Sequence, residues 1–219
     1  FKPADEEAGS QNNPRGLVGA DHLMRQGFRP GGGAVRERVA YKLDRGFARV
    51  PRTAIDSLVL PSPGGAHLRS QSGSIQEFVP SDGDASDFRF DGSEFDEEQS
   101  QRVMLMDMRL FNTDRHEGNL LVRRPRQAAG GAARCEAKCD VVPIDHAFCL
   151  PSFGYFREAE FAWRYWTSAA KPFGAAAVKY VAALREDDDV ATARRAGLDE
   201  SSCATLRACT LLLQRAVLG

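Results

Sequence analysis

A single polar turn set between two apolar stretches constrains this chain more than any other feature. Val103, Met104, Met106 and Leu110 lead into it, and Leu120, Leu121 and Val122 leave it. Between them the run F-N-T-D-R-H-E-G-N, residues 111–119, gathers Asp114, Arg115, His116 and Asn119. One loop later, V-V-P-I-D-H places Asp145 at the end of another apolar run. Taken alone, Asn, Thr, Asp and Gly are ordinary turn residues, and the stretch could simply join a helix to a strand. The second strand-terminal aspartate and the motifs at the start of the chain weigh against that reading.

An aspartate, an asparagine five positions on and a second aspartate after a later strand form the metal–phosphate arrangement of kinase-type phosphoryl transfer. In that arrangement Asp114 contacts the attacking hydroxyl. Asn119 and Asp145 hold magnesium, with manganese as the alternative ion. Arg115 and His116 position Asp114 or the transferring phosphate. Other chemistries fit less well. The chain has no Gly-Lys pair for a P-loop and no G-x-S-x-G elbow for acyl transfer. His116, Asp145 and His146 lack the H-x-x-x-H or H-x-H spacing of a transition-metal hydrolase.

Several further motifs resemble the phosphatidylinositol 3-/4-kinase catalytic domain. They are F-K-P-A-D-E-E at 1–7, N-N-P-R-G at 12–16, R-E-R-V-A-Y-K-L-D at 36–44 and G-S-I-Q-E-F-V at 73–79. F-N-T-D-R-H-E-G-N-L-L-V at 111–122 and P-I-D-H-A-F-C-L-P at 143–151 complete the set, which covers roughly residues 1–173 in the family's order. Within the family the similarity is to the type II phosphatidylinositol 4-kinase branch, in particular its plant gamma-type members.

The resemblance implies an α+β, two-lobed protein-kinase-like fold with an incomplete N-lobe and a mostly helical C-lobe. The partial N-lobe spans 1–79, an acidic inter-lobe segment 80–99, and the C-lobe 100–219. It also implies an ATP-dependent lipid kinase that moves the γ-phosphate to the 4-hydroxyl of phosphatidylinositol. A protein Ser/Thr kinase on the same fold, or an inactive nucleotide-binding fragment, are the alternatives. The chain opens on Phe1 without a Met, and without the strand and Gly-rich loop that precede the lysine in the family.

By the same resemblance Lys2 contacts nucleotide phosphates and Glu37 pairs with it. Phe78 and Val79 offer backbone groups and apolar surface to the adenine ring. Without the resemblance, Lys2 and Glu37 read as solvated charges, and 78–79 as the edge of a buried strand. The run D-H-A from Asp145 departs from the D-F-G of protein kinases and fits the lipid-kinase branch. Ala147-Phe148 stands where that branch more often has Gly-Tyr.

Composition narrows the setting. A chain of 219 residues suits one domain or the two lobes of a small enzyme. A formal net charge of -1 offers no basic field for nucleic acid. No apolar run approaches the roughly 18 residues of a membrane span, and no signal peptide is visible. The 5 cysteines form no C-x-x-C pair, which predicts reduced packing thiols in a cytoplasmic protein. The insertion between Val122 and Val141 carries Arg123, Arg124, Arg126, Arg134 and Lys138. Peripheral contact of Arg123, Arg124 and Arg126 with an anionic membrane is one reading, at about 1 kcal/mol per basic residue. A solvated loop is the other.

Pattern predicts a helix opening at residues 31–33 and ending near Gly46, with Val35, Val39 and Leu43 on one face. Strands are predicted over 55–60 and 73–79, separated by a Pro/Gly/Ser-rich turn at 61–72. The acidic run 80–99 reads as a mobile segment. A helix resumes over about 97–110. The remainder reads as helical, with an aromatic-rich helix at 155–170 and others at 173–184 and 201–218.

Overall fold

The computed structural model describes residues 1–7, 9–16, 18–19, 25–61, 67–125, 137–156 and 159–219. One helix, α2 (Glu97–Leu110), lies at its centre. Asp96 starts this helix by accepting the Gln99 N–H at 2.8 Å, and Glu97 and Glu98 complement the positive end of its dipole. Phe111 ends it in the left-handed region at φ 43°. Apolar residues run around α2 rather than along one stripe, so it is packed on several sides.

Met106 and Leu110 meet α1 (Gly33–Asp44), α4 (Glu186–Arg195) and α5 (Glu200–Leu218) through Val39, Leu43, Val190 and Leu206. Val103 and Met104 meet the hairpin of β5 (Leu120–Arg123) and β6 (Asp140–Pro143), with Phe95, Trp163 and Trp166 closing the cluster. Leu105 packs on Leu213 and on Val181 of α3 (Ala175–Ala182). Each such buried side chain contributes roughly 1.5–3 kcal/mol.

The start of the chain builds a three-stranded antiparallel sheet in the order β1-β3-β2. Its strands are β1 (Lys2–Pro3), β2 (Thr53–Pro61) and β3 (Leu68–Gln76). Thr53 pairs with Gln76 and Pro61 with Leu68, while Lys2 pairs with Ser74 and Pro3 with Gly73. A Cβ on Gly73 would stand 2.1 Å from the Lys2 carbonyl oxygen, so only glycine lets β1 lie this close. The expected strand at 73–79 therefore begins earlier and stops sooner. Its first half, L-R-S-Q-S, is polar and reads as loop. Gln71 is nevertheless buried and donates to Asp5 at 3.0 Å and Glu6 at 2.9 Å.

Helix α1 takes its cap from outside. The Glu7 carboxylate accepts the Gly33 N–H at 3.0 Å and the Ala34 N–H at 3.1 Å. At the other end, buried Asp44 accepts the Ala48 and Val50 N–H groups at 2.6 and 3.0 Å.

Three expectations need correction. The acidic segment is not loose: Asp84 and Asp87 form a capping box, and Asp82 and Gly83 exchange backbone hydrogen bonds with Val122. Phe95 anchors its far end, 4.7 Å from the Trp166 ring. The carboxylates serve as turn caps, which offsets their repulsion. The described residues of 155–170 do not form one helix. Described residues there form β7 (Glu160–Phe161) and 3₁₀ turns at Ala162–Tyr165 and Thr167–Ala170. Trp163 turns in to Asp107 and Trp166 to Phe95, whereas Tyr165 faces solvent, a spread that one helical face does not provide. Finally, α4 was not singled out within the helical remainder. Its acidic first turn and basic last turn follow the helix dipole.

Cys139, Cys149, Cys203 and Cys209 are free and buried, and Cys135 lies outside the described residues. Among the described residues no helix is long and apolar enough to cross a membrane.

Candidate active site

The turn after α2 is fixed from within. Asn112 is buried, donates to Asp107 at 3.2 Å and accepts the Asp114 N–H at 3.1 Å. Thr113 donates its hydroxyl to the Phe148 carbonyl at 2.9 Å. Asp114 and Arg115 form β4 (Asp114–Arg115), parallel to β7. The Asn119 side-chain amide donates to the Asp114 carbonyl at 2.9 Å.

The β5–β6 hairpin pairs Leu120 with Pro143, and the Ile144 N–H reaches the Asn119 carbonyl at 3.0 Å. Asp145 thus follows directly beside the turn. Its φ of 51° is left-handed, a conformation Asp tolerates better than most residues.

Asp145 meets the sheet through Lys2. The Lys2 Nζ lies 2.8 Å from Glu37 Oε1 and 3.1 Å from Asp145 Oδ2. Burial lowers the Lys2 pKa, but Glu37 and Asp145 outweigh it, and the amine ends above its ordinary value. Burial pushes Glu37 above the usual carboxylate range against the pull of Lys2, and Asp145 adds to that rise. One ammonium therefore serves two carboxylates. Beside it a cavity of about 210 Å³ is lined by Lys2, Glu7, Arg29, Arg36, Asp145 and Phe148.

Arg115 differs from expectation. Its guanidinium is fully buried and cannot reach a phosphate. Nε donates to Asp107 at 2.9 Å, Nη1 to the Asn119 and Ile144 carbonyls at 2.6 Å each, and Nη2 faces His146 Nε2 at 3.0 Å. It cross-links the turn to the Asp145 segment. His116 is exposed and accepts the Gly118 N–H at 3.1 Å, which caps the next turn rather than Asp114.

Phe78 and Val79 follow the end of β3, and the Phe78 ring is 87% exposed. The membrane-contact arginines are less free than expected. Arg123 is paired with Asp140, which Arg49 also holds at 2.6 Å. Arg124 lies over the Phe88 ring at 5.3 Å, and Arg126 and Arg134 fall outside the described residues.

Sequence reading missed four contributors. Glu7 caps α1, Asp107 receives Arg115, and Arg25 pairs with Asp114 at 2.5 Å. His146 is wholly buried, and burial, then Arg115 and Lys2, hold its pKa well below the ordinary value. Asp107 sits in the last turn of α2 among apolar residues, and a lone acid there was a usable signal.

Residues 47–217 match the family described as Phosphatidylinositol 3- and 4-kinase. The chain belongs to this family. Among its similar phosphatidylinositol 3- and 4-kinase relatives is "Phosphatidylinositol 4-kinase gamma 4" of Arabidopsis thaliana, 33% identical over 99% of this chain and 39% of the relative. The rice protein of that name, from Oryza sativa subsp. japonica, is 35% identical over 98% and 38%. "Phosphatidylinositol 4-kinase gamma 2" of Arabidopsis thaliana is 34% identical over 99% and 42%. The chain therefore spans about two fifths of the length of these relatives. The family match includes Asp114, Asn119 and Asp145. It begins after Lys2 and Glu37, whereas the match to the Arabidopsis gamma 4 relative covers 99% of the chain.

Proposed function

We propose that this chain is the catalytic region of an ATP-dependent phosphatidylinositol kinase that phosphorylates the 4-hydroxyl of the inositol ring. The observation that carries the reading is the convergence of Lys2, Glu37 and Asp145 in one ion cluster, tied through Arg115 to the turn bearing Asp114 and Asn119. The relatives' names supply the lipid and the position on the ring. The β1–β3 sheet with α1 acts as the smaller lobe, α2 to α5 as the larger, and residues 80–99 as the strap between them.

In this reading Lys2 stays protonated and meets phosphate oxygens, while Glu37 keeps its stem in place. Asp145 and Asn119 offer hard oxygen donors of the kind magnesium accepts alongside phosphate and water. Magnesium, when bound, neutralises charge on the β- and γ-phosphates. Asp114 receives or orients the proton of the attacking hydroxyl. Phe78 and Val79 line the base. Arg123 is committed to Asp140, so membrane approach relies on other surfaces.

The test is magnesium-dependent ATP turnover with phosphatidylinositol vesicles, with a protein acceptor and with neither. Lipid-dependent turnover is expected. Asp114→Ala should lower it by about 10²–10⁴-fold while ATP binding persists. Turnover near wild type in that variant would remove Asp114 from the mechanism, and phosphorylation of protein alone would replace the substrate.

A further inference from the structure

The Asp114 carboxylate is held by a residue from the far side of the sequence. Arg25 Nη2 lies 2.5 Å from Asp114 Oδ1, and its Nη1 donates to the Thr113 carbonyl. Among the described residues no other cation pairs with Asp114. The backbone of Asp114 is fixed by Asn112 and Asn119, but its carboxylate has Arg25 as its partner there. Arg115, the neighbour in sequence, has its donors turned inward to Asp107, two carbonyls and His146.

The turn carrying Arg25 is built against the site. The Phe28 N–H returns to the Arg25 carbonyl at 3.3 Å, and the Gly27 carbonyl accepts the Ser152 N–H at 2.8 Å. Gly27 has φ +87°, and a Cβ there would lie 2.8 Å from Tyr155 Cβ and 3.0 Å from Pro151 Cβ. Phe28 packs edge-on to Phe148 at 5.3 Å, and the Arg25 guanidinium lies 5.7 Å from the same ring. The Arg36 guanidinium covers the other partner, 5.0 Å from the Phe28 ring.

We propose that Arg25 is a positioning residue for phosphoryl transfer: it fixes the Asp114 carboxylate through Oδ1 and leaves Oδ2 for the acceptor hydroxyl. This rests on the kinase reading above. A planar fork suits the task because one guanidinium grips the Asp114 side chain and the Thr113 carbonyl before it, fixing two neighbouring groups of the turn at once. Lysine in its place has one compact ammonium and serves one of these acceptors at a time. Loss of Arg25 frees the carboxylate to rotate without removing it, so the chemical step suffers and nucleotide binding does not.

The experiment compares wild type, Arg25→Ala, Arg25→Lys and Asp114→Ala under the same lipid and ATP conditions, with and without millimolar guanidinium. Arg25→Ala should lose roughly 10²-fold in kcat, the scale of a misplaced reacting group, with the KM for ATP within about twofold. Added guanidinium should restore part of that loss in Arg25→Ala and none in Asp114→Ala. Arg25→Lys should fall between wild type and Arg25→Ala. Unchanged kcat in Arg25→Ala would overturn the assignment. So would a rise in kcat, which would make the ion pair a block on Asp114. A loss shared equally by the Lys variant and unmoved by guanidinium would assign Arg25 to folding alone. Each of those results leaves the kinase reading intact, whereas absence of lipid-dependent turnover in wild type, or its persistence in Asp114→Ala, strikes that reading instead.

Discussion

Two ion clusters of similar chemistry stand at different depths of the molecule. The Arg109–Asp189 pair lies at 2.5 Å with side chains 1% and 0% exposed. Arg109 also donates to the Leu43 carbonyl at 3.1 Å and to the Tyr180 hydroxyl at 2.7 Å, and Arg45 reaches Asp189 at 2.9 Å. This cluster joins α1, α2, α3 and α4. In the other cluster Lys2 and Asp145 are 48% and 40% exposed, and one ammonium faces two carboxylates. In the first cluster the Arg109–Asp189 pair is shut away from water, and Arg45 reaches it from the surface. The second carries surplus negative charge at an open face, which a cation and its phosphates can complete. Paired charges hold the fold together in one place and, in the proposed reading, receive a ligand in the other, and exposure separates them.

Removing one partner from each cluster tests that separation. Asp189→Ala leaves Arg109 buried without its charge partner and should cost about 3–5 kcal/mol of stability. Chemical denaturation measures it, and the folded fraction should keep its ATP turnover. A loss below about 1 kcal/mol would show that the sealed pair is no tighter than a surface one. Glu37→Gln should do the reverse. Glu37 is buried with its pKa raised, so a neutral isostere avoids the desolvation that the carboxylate bears, and stability should change by less than about 1 kcal/mol. The KM for ATP should rise about tenfold, near 1.4 kcal/mol, because Lys2 then leans on Asp145 alone. Equal effects of the two substitutions on both readouts would erase the contrast.

How far the sequence foretold this site depends on how each residue acts. The closeness of Asp114, Asn119 and the Asp145 segment was legible because their spacing along the chain fixes their neighbourhood. The Lys2–Glu37 pair, 35 positions apart, was readable only through family resemblance. Arg115, expected to position Asp114 or the phosphate, adjoins Asp114 in sequence but not in direction. In a strand, successive side chains point to opposite faces, so β4 sends Asp114 outward and Arg115 into the core. Arg25 is 89 positions from Asp114, and no local pattern marks such a contact. Strand β3 escaped notice in its polar half, since its buried Gln71 is satisfied by Asp5 and Glu6 rather than by apolar packing. At 155–170 apolar content suggested a helix where the rings face different clusters.

Cys149 lends the molecule a clock. Its sulfur is wholly buried, 3.9 Å from the Arg36 carbonyl of α1, in the core that joins α1 to the segment following Asp145. Burial pushes this thiol up to about 12, so at pH 8 the reactive thiolate is scarce while the core is shut. Alkylation of Cys149, followed by peptide mass mapping, should therefore be slow and should count the moments when α1 parts from its bed. If Lys2 and Asp145 are bridged by nucleotide and magnesium, those moments should become rarer, and the thiol will time the breathing of the cleft from behind it.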